Sequence, residues 1–382
     1  MRSILSFSLA LLAAATMTAC GTPPQTGAQG AAPAAFQPVQ AAQVQRAAVA
    51  PSLYELAYSA RQNAVFVASS GGFGDGAGPS KLLRLDPRTL AVQAEIILPL
   101  RGFGVALDDA TNRLYVGNTT EGSITVVDTA TNQVVRTVAL MDKVKGADGK
   151  EKYPHHFREL VLDPANGRLY APGLSSDGSA LYVMDTRRLA LEKVVPDLGA
   201  IATGIALDAA NQRLFVSNLR GGLVEIDTRT LAITQRHTPG ADQMLNLAYD
   251  AQSQRLYGTD QGLASISERR QKAEPGFTPT PGNRVVVLDP ATARITASLP
   301  TGEGPIAPLL DTARQRLYVT NRGAGSLSVF DTASQQLLQT IALPSHPNSL
   351  ALDSRNNVLF VTVKNGRNDA KGSNESVVRI AL

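Results

Sequence analysis

One arrangement of apolar and polar positions recurs along the whole chain. An apolar run ends in Asp, a few turn-forming residues follow, and a second run opens with Leu or Val, an aromatic, and a β-branched or small residue. The copies centre on Phe66, Tyr115, Tyr170, Phe215, Tyr257, Tyr318 and Phe360. In six of them an Asp (Asp108, Asp163, Asp208, Asp250, Asp311, Asp353) stands six positions before the Leu. Between residues 305 and 344 the runs PIAPLLD, RLYVTN, SLSVFDT and QLLQTIAL read as four successive strands. They are short, rich in Val, Ile, Leu, Thr and Tyr, and bounded by Gly, Asn, Asp or Pro. Units of about 40 residues built this way predict a β-propeller. The fold class expected is all-β: seven blades, each a four-stranded antiparallel sheet.

The seventh unit stops early. After LFVTV and a polar loop it ends at SVVRIAL, with a third strand and no fourth, which would leave an open sheet edge. QVQRAAV, residues 43–49, is expected to complete that blade, so that the two ends of the domain meet in one sheet. The third strand closes on an Asp in six units (Asp86, Asp128, Asp185, Asp227, Asp289, Asp331), where a carboxylate can accept backbone N–H bonds in a turn. Loop lengths single out a working face. From the second-strand aromatic to that Asp the interval is 12 to 15 residues in four units, but 20 in the first and 32 in the fifth. Insertions near 70–80, 141–157, 262–283 and 364–375 all fall on connections that leave one side of the blades. Such loops on a rigid scaffold are where binding residues usually sit, and the opposite face reads as structural.

The N-terminal residues have a different composition. Arg2 precedes an apolar stretch over 3–16, and MTAC at 17–20 is followed by Gly21, the pattern of a secretory signal covering 1–19. Cys20 is the single cysteine, and its setting resembles a bacterial lipobox, with Met17 where Leu is commonest. That resemblance implies lipidation of Cys20 and an exported chain held on a membrane in the periplasm or outer envelope. Residues 20–42, rich in Ala, Gln, Pro and Gly and without charge, read as a disordered tether. The propeller is expected over 43–382, as a monomer.

The repeat phrase, together with RELVLD at 158–163, HPNSLALD at 346–353 and VVRIAL at 377–382, resembles the bacterial YVTN-repeat propellers, most closely the YncE type. YELAYS (54–59), FGVALDD (103–109), ATGIALD (202–208) and RLYVTN (316–321) carry the resemblance through the domain. It implies a seven-bladed exported protein without an established enzymatic activity and associated with DNA.

Residue chemistry supports a nucleic-acid ligand only locally. The net charge is +4, and the cations of two insertions (Lys143, Lys145, Lys150 and Lys152; Arg269, Arg270 and Lys272) are interleaved with acids. Nucleic-acid binders usually carry a stronger basic stripe. Tyr153, Phe157 and Phe277 are the aromatics placed for stacking on bases, and Trp is absent. Catalytic patterns are weaker. His155 and His156 are neighbours on an extended segment and so point apart, GFGDGAG at 72–78 lacks a strand-to-helix setting, and neither a cofactor nor a metal is expected. The channel mouth offers the sharper candidates. Entry ends of first strands carry Tyr54, Glu55, Phe103, Arg158, Glu159, Thr203, Asn246, His346 and Asn348, and ends of second strands add Asn118, Asn218, Asn321, Arg322 and Lys364. Convergent polar groups at one mouth are the default ligand site, although an Asn at a strand end also suits turn capping. Two functions follow. One is a non-catalytic envelope propeller binding DNA or a protein through its variable-loop face. The other is a hydrolase or lactonase using Glu159, Arg158 and His346.

Overall fold

The computed structural model describes residues 36–74, 76–146 and 149–382. The signal segment, Cys20 and most of the tether lie outside the described residues. Seven antiparallel sheets follow one another in chain order, each running from an inner to an outer strand. The inner strands are Leu53–Ser59, Gly102–Asp108, Val161–Asp163, Ala202–Asp208, Met244–Asp250, Pro305–Asp311 and Pro347–Asp353. The expected closure is present: Val44–Ala50 pairs antiparallel with Glu375–Ala381 and supplies the outer strand of blade seven.

The repeat phrase is explained by how the blades pack. Seven hydrophobic clusters fill the seven blade-to-blade interfaces. Because side chains alternate sides along a strand, Leu114 and Val116 face blade one while Tyr115 faces blade three. Leu214, Val216 and Phe215 in blade four repeat the arrangement, as do Leu359, Val361 and Phe360 in blade seven. A second strand is thus buried on both faces, which requires an uninterrupted apolar run. Burying each of these large side chains contributes about 1.5–3 kcal/mol.

The two Asp positions are turn caps. All six third-strand carboxylates accept backbone N–H bonds from the residues two and three positions on, as Asp86 does from Arg88 and Thr89. The amides of Thr89, Arg188, Thr230 and Thr292 hold Asp86, Asp185, Asp227 and Asp289 below the usual carboxylate range. First-strand Asp163, Asp208 and Asp353 likewise accept the N–H three residues on. The Thr of the YVTN phrase joins neighbouring blades. Thr320 Oγ1 accepts from Ala307 N–H at 3.0 Å and donates to Asn348 O of blade seven at 2.9 Å. Thr259 and Thr362 do the same for Asn246 and Ile306, and for Ser349 and Tyr54.

Candidate ligand site in the central cavity

Each inner strand breaks its ladder near its entry end. In six blades the pairing with the second strand skips two residues, as between Leu53 and Leu56 or Pro347 and Leu350. In blade three, residues 158–160 leave the ladder altogether. Such bulges re-aim side chains, and here they turn consecutive residues toward the lumen. The wall is therefore tiered. Tyr54, Phe103, Arg158, Thr203, Leu245, Ile306 and Asn348 form an upper ring. Glu55, Glu159, Asn246, Ala307 and Ser349 line the next, above an apolar ring that includes Leu56, Leu160, Leu247 and Leu350. They enclose a cavity of about 860 Å³.

The upper ring combines aromatics with cations. Tyr54 and Phe103 stack with centroids 3.4 Å apart, Lys364 Nζ lies 4.1 Å from the Tyr54 centroid, and the Arg158 guanidinium is 5.8 Å from that of Phe103. Phe73, from the first insertion, meets Phe103 edge-on at 5.8 Å and is 53% exposed. Arg158 and Arg322 line the cavity, and neither side chain makes a hydrogen bond or ion pair with the described residues. Burial pulls the Arg322 pKa down.

The second ring holds a hydrogen-bonded chain that crosses blades. Glu55 of blade one reaches past Gly104 of blade two to bond Glu159 of blade three, and Asn246 of blade five reaches past Gly204 of blade four to donate to Glu159 Oε1 at 2.9 Å. The glycines are required by close approach. A Cβ on Gly104 would lie 2.1 Å from Arg158 O and 3.3 Å from Glu55 Oε2, and one on Gly204 would lie 2.8 Å from the Asn246 Cα. Val105 N–H anchors Glu55 Oε2 at 2.8 Å. Desolvation, and then the Glu159 carboxylate, push Glu55 well above the usual carboxyl range; desolvation also raises Glu159. Burial and the approach of the two carboxyls both favour the protonated form at this pair.

The structure divides the sequence-derived candidates. Tyr54, Glu55, Phe103, Arg158, Glu159, Thr203, Asn246, Arg322 and Asn348 come together around the cavity. Asn118, Asn218 and Asn321 stay behind its wall, fully or almost fully buried. Asn118 bonds Ser123 and Thr125, Asn321 bonds Ser326 and Ser328, and Asn218 caps its turn through Arg220 and Gly222 N–H. Lys364 backs Tyr54 and pairs with Glu375 at 3.0 Å. His346 stands outside the lining with φ of 62°, its Nδ1 buried without a partner among the described residues; burial and the Arg322 guanidinium lower its pKa.

The two cationic insertions differ. Lys143, Lys145, Lys150 and Lys152 are exposed on or beside the small hairpin that pairs Val144–Lys145 with Glu151–Lys152. The other insertion carries a helix, Ala264–Ala273, where the sequence reading saw only a loop. Ile266, Arg269 and Arg270 of that helix line the cavity, and Lys272 is exposed. Gln243 ties the helix to blade five through Leu263 and Ser267. Of the aromatics proposed for stacking, Phe157 is unavailable because it is fully buried edge-on to Tyr182, Phe277 lies under Arg270, and Tyr153 packs near Lys143. His155 bonds Tyr182 and Gly178, His156 bonds Thr119, and the two rings diverge as expected. Sequence reasoning missed Arg220 in the lining and Phe73, which packs against Phe103.

No protein-family model matches the chain. A chain of Kuenenia stuttgartiensis hydrazine synthase superposes with a TM-score of 0.66 at 15% identity, over 82% of this chain and 93% of that one, a likeness of fold alone. The YncE protein of Salmonella typhimurium is 30% identical over 353 residues, covering 91% of this chain and 93% of its own length. YncE of Escherichia coli K12 is 32% identical over the same span. With seven four-stranded blades in register with its repeats, the chain belongs to the YncE family of YVTN-repeat propellers.

Proposed function

We propose that this is an exported, non-catalytic binding propeller that captures an anionic ligand at the mouth of its central cavity. The observation that carries the reading is the pair of guanidinium groups, Arg158 and Arg322, turned to the cavity without a carboxylate partner among the described residues. Arg322 is half-buried, and an unpaired cation there is costly unless a ligand completes it; Arg158 is exposed beside it at the rim of the same cavity. Phe73 and the stacked Tyr54 and Phe103 add flat surface beside those charges, a combination suited to nucleic-acid strands as well as to small anions. The test is binding of labelled single-stranded DNA and of small carboxylate and phosphate anions across a salt series. It compares Arg158→Ala/Arg322→Ala with replacement of Lys143, Lys145, Lys150 and Lys152 by Ala. Loss in the arginine variant supports the cavity mouth. Loss only in the lysine variant moves the site to the hairpin, and no anion binding at low salt overturns the reading.

The leader is part of the proposal: the chain is anchored through a lipid on Cys20. Incorporation of labelled palmitate that persists in Cys20→Ser would refute the anchor. A hydrolytic reading draws on the hydrogen-bonded Glu55 and Glu159, a proton store of the kind acid–base chemistry uses. It has lost one of its three candidates, since His346 stands outside the cavity lining.

A further inference from the structure

The two charged tiers of the cavity are adjacent. Arg158 and Glu159 are consecutive, so their Cα atoms are about 3.8 Å apart, and both belong to the stretch of blade three that leaves the ladder. The upper tier offers unpaired positive charge from Arg158 and Arg322. The lower tier offers the Glu55 and Glu159 carboxyls, fixed by Val105 N–H on one side and Asn246 on the other. A group that is only anionic satisfies the first tier and leaves the second untouched.

We propose that the cavity binds a small zwitterion, an α-amino acid or a compact peptide-like molecule, with its carboxylate on Arg158 and Arg322 and its ammonium on Glu55 and Glu159. This rests on the anion-capture reading and names the ligand class. Opposite charges one residue apart in the wall match charges two bonds apart in the ligand. The ammonium donates hydrogen bonds to both carboxylates, and the proton held at the pair leaves to solvent, so one positive charge replaces another. The other charged or titratable groups around the lumen are Tyr54 in the upper ring, Lys364 behind it with its partner Glu375, Arg220, and Arg269 and Arg270 on the helix. Arg270 and Arg220 are occupied by Glu274, and Arg269 is turned back onto Ser265 O of its own helix, which leaves the blade-three tiers as the matched pair. At about 860 Å³ the cavity exceeds a single amino-acid backbone and leaves room for a side chain beside Tyr54 and Phe103.

The experiment is isothermal titration calorimetry of the purified protein with free amino acids. The best binder is then compared with its N-acetyl and carboxamide derivatives, in two buffers of different protonation enthalpy. The expected result is binding weakened at least tenfold by either blocking group, with about one proton released per ligand. Glu55→Gln/Glu159→Gln should abolish the penalty for N-acetylation, and Arg158→Ala/Arg322→Ala the penalty for the carboxamide. The wild-type comparison of blocked and free ligands decides the question even if a variant fails to fold. An N-acetyl derivative that binds as well as the free amino acid overturns the zwitterion and leaves anion capture standing. Absence of any amino-acid binding overturns it as well. Anion binding unchanged in the arginine variant sinks the functional reading itself.

Discussion

Thr320→Val separates the inter-blade role of the YVTN threonine from mere shape. The side chain is fully buried, and its hydroxyl serves Ala307 N–H at 3.0 Å and Asn348 O at 2.9 Å. Valine keeps the volume and removes both bonds, stranding an amide of blade six and a carbonyl of blade seven. Each buried group left without a partner costs about 1–3 kcal/mol, so a loss of about 3 kcal/mol is expected. Unfolding entropy of about 2.1 cal/mol/K per residue gives roughly 0.7 kcal/mol/K for a domain of about 340 residues. The expected fall in Tm is therefore about 4 °C. Thr320→Ser keeps the hydroxyl and should fall by no more than about 1 °C, and Thr111→Val at an exposed turn should change little. Scanning calorimetry with a matched urea titration measures all three. If the valine variant melted within a degree of wild type, or serine were as damaging as valine, the hydroxyl bridge would not be what joins these blades.

Three further outcomes follow. Gly104→Ala forces a methyl to within 2.1 Å of Arg158 O, whereas Gly117→Ala meets nothing nearer than 3.4 Å. The first should lose about 1–3 kcal/mol by overpacking and shift ligand affinity, the second neither, in paired melting and binding assays. Because their folded pKa values are depressed, the turn carboxylates Asp86, Asp185, Asp227 and Asp289 contribute stability that is present above about pH 4 and lost as pH falls through the folded values. Replacing all four with Asn should blunt the acid limb of a stability profile, and an unchanged limb would contradict the assignment. Asp260 behaves oppositely. Desolvation, only partly offset by Arg284 at 3.0 Å, raises it to about 6, so the folded state holds its proton more tightly and this contribution declines from about pH 4 to pH 6. Asp260→Asn should flatten that segment of the same profile.

The architecture was legible because it rests on short-range, repeated physics. Leu-aromatic-Val reports a strand buried on both faces, Asp reports a capped turn, and the alternation of QVQRAAV marks a strand ahead of the first unit. The candidate site was legible in part for the same reason: a tier position is fixed by its distance from the Asp, which placed Tyr54, Phe103, Arg158 and Asn246 on the lumen. Asn118, Asn218 and Asn321 sit at strand ends too, but their side chains find partners in their own blade. The carboxyl chain was hidden because Glu55, Glu159 and Asn246 are far apart in sequence, and their meeting depends on what Gly104 and Gly204 leave empty. The helix Ala264–Ala273 was missed because no buried residue marks one of its faces. Its Ser, Glu, Arg, Gln, Lys and Ala content was the available signal.

The strand that completes blade seven is the earliest element of the ring to be synthesised, and its partner is the last. Six blades can assemble while that partner is still missing, so the two halves of the final sheet must find each other across almost the entire domain. Until they do, Glu375–Ala381 presents an unpaired edge. A second copy of the chain can offer the same strand, Val44–Ala50, to that edge. Ring closure is thus a race between self and neighbour, and a high concentration of folding chains shifts that race toward strand exchange.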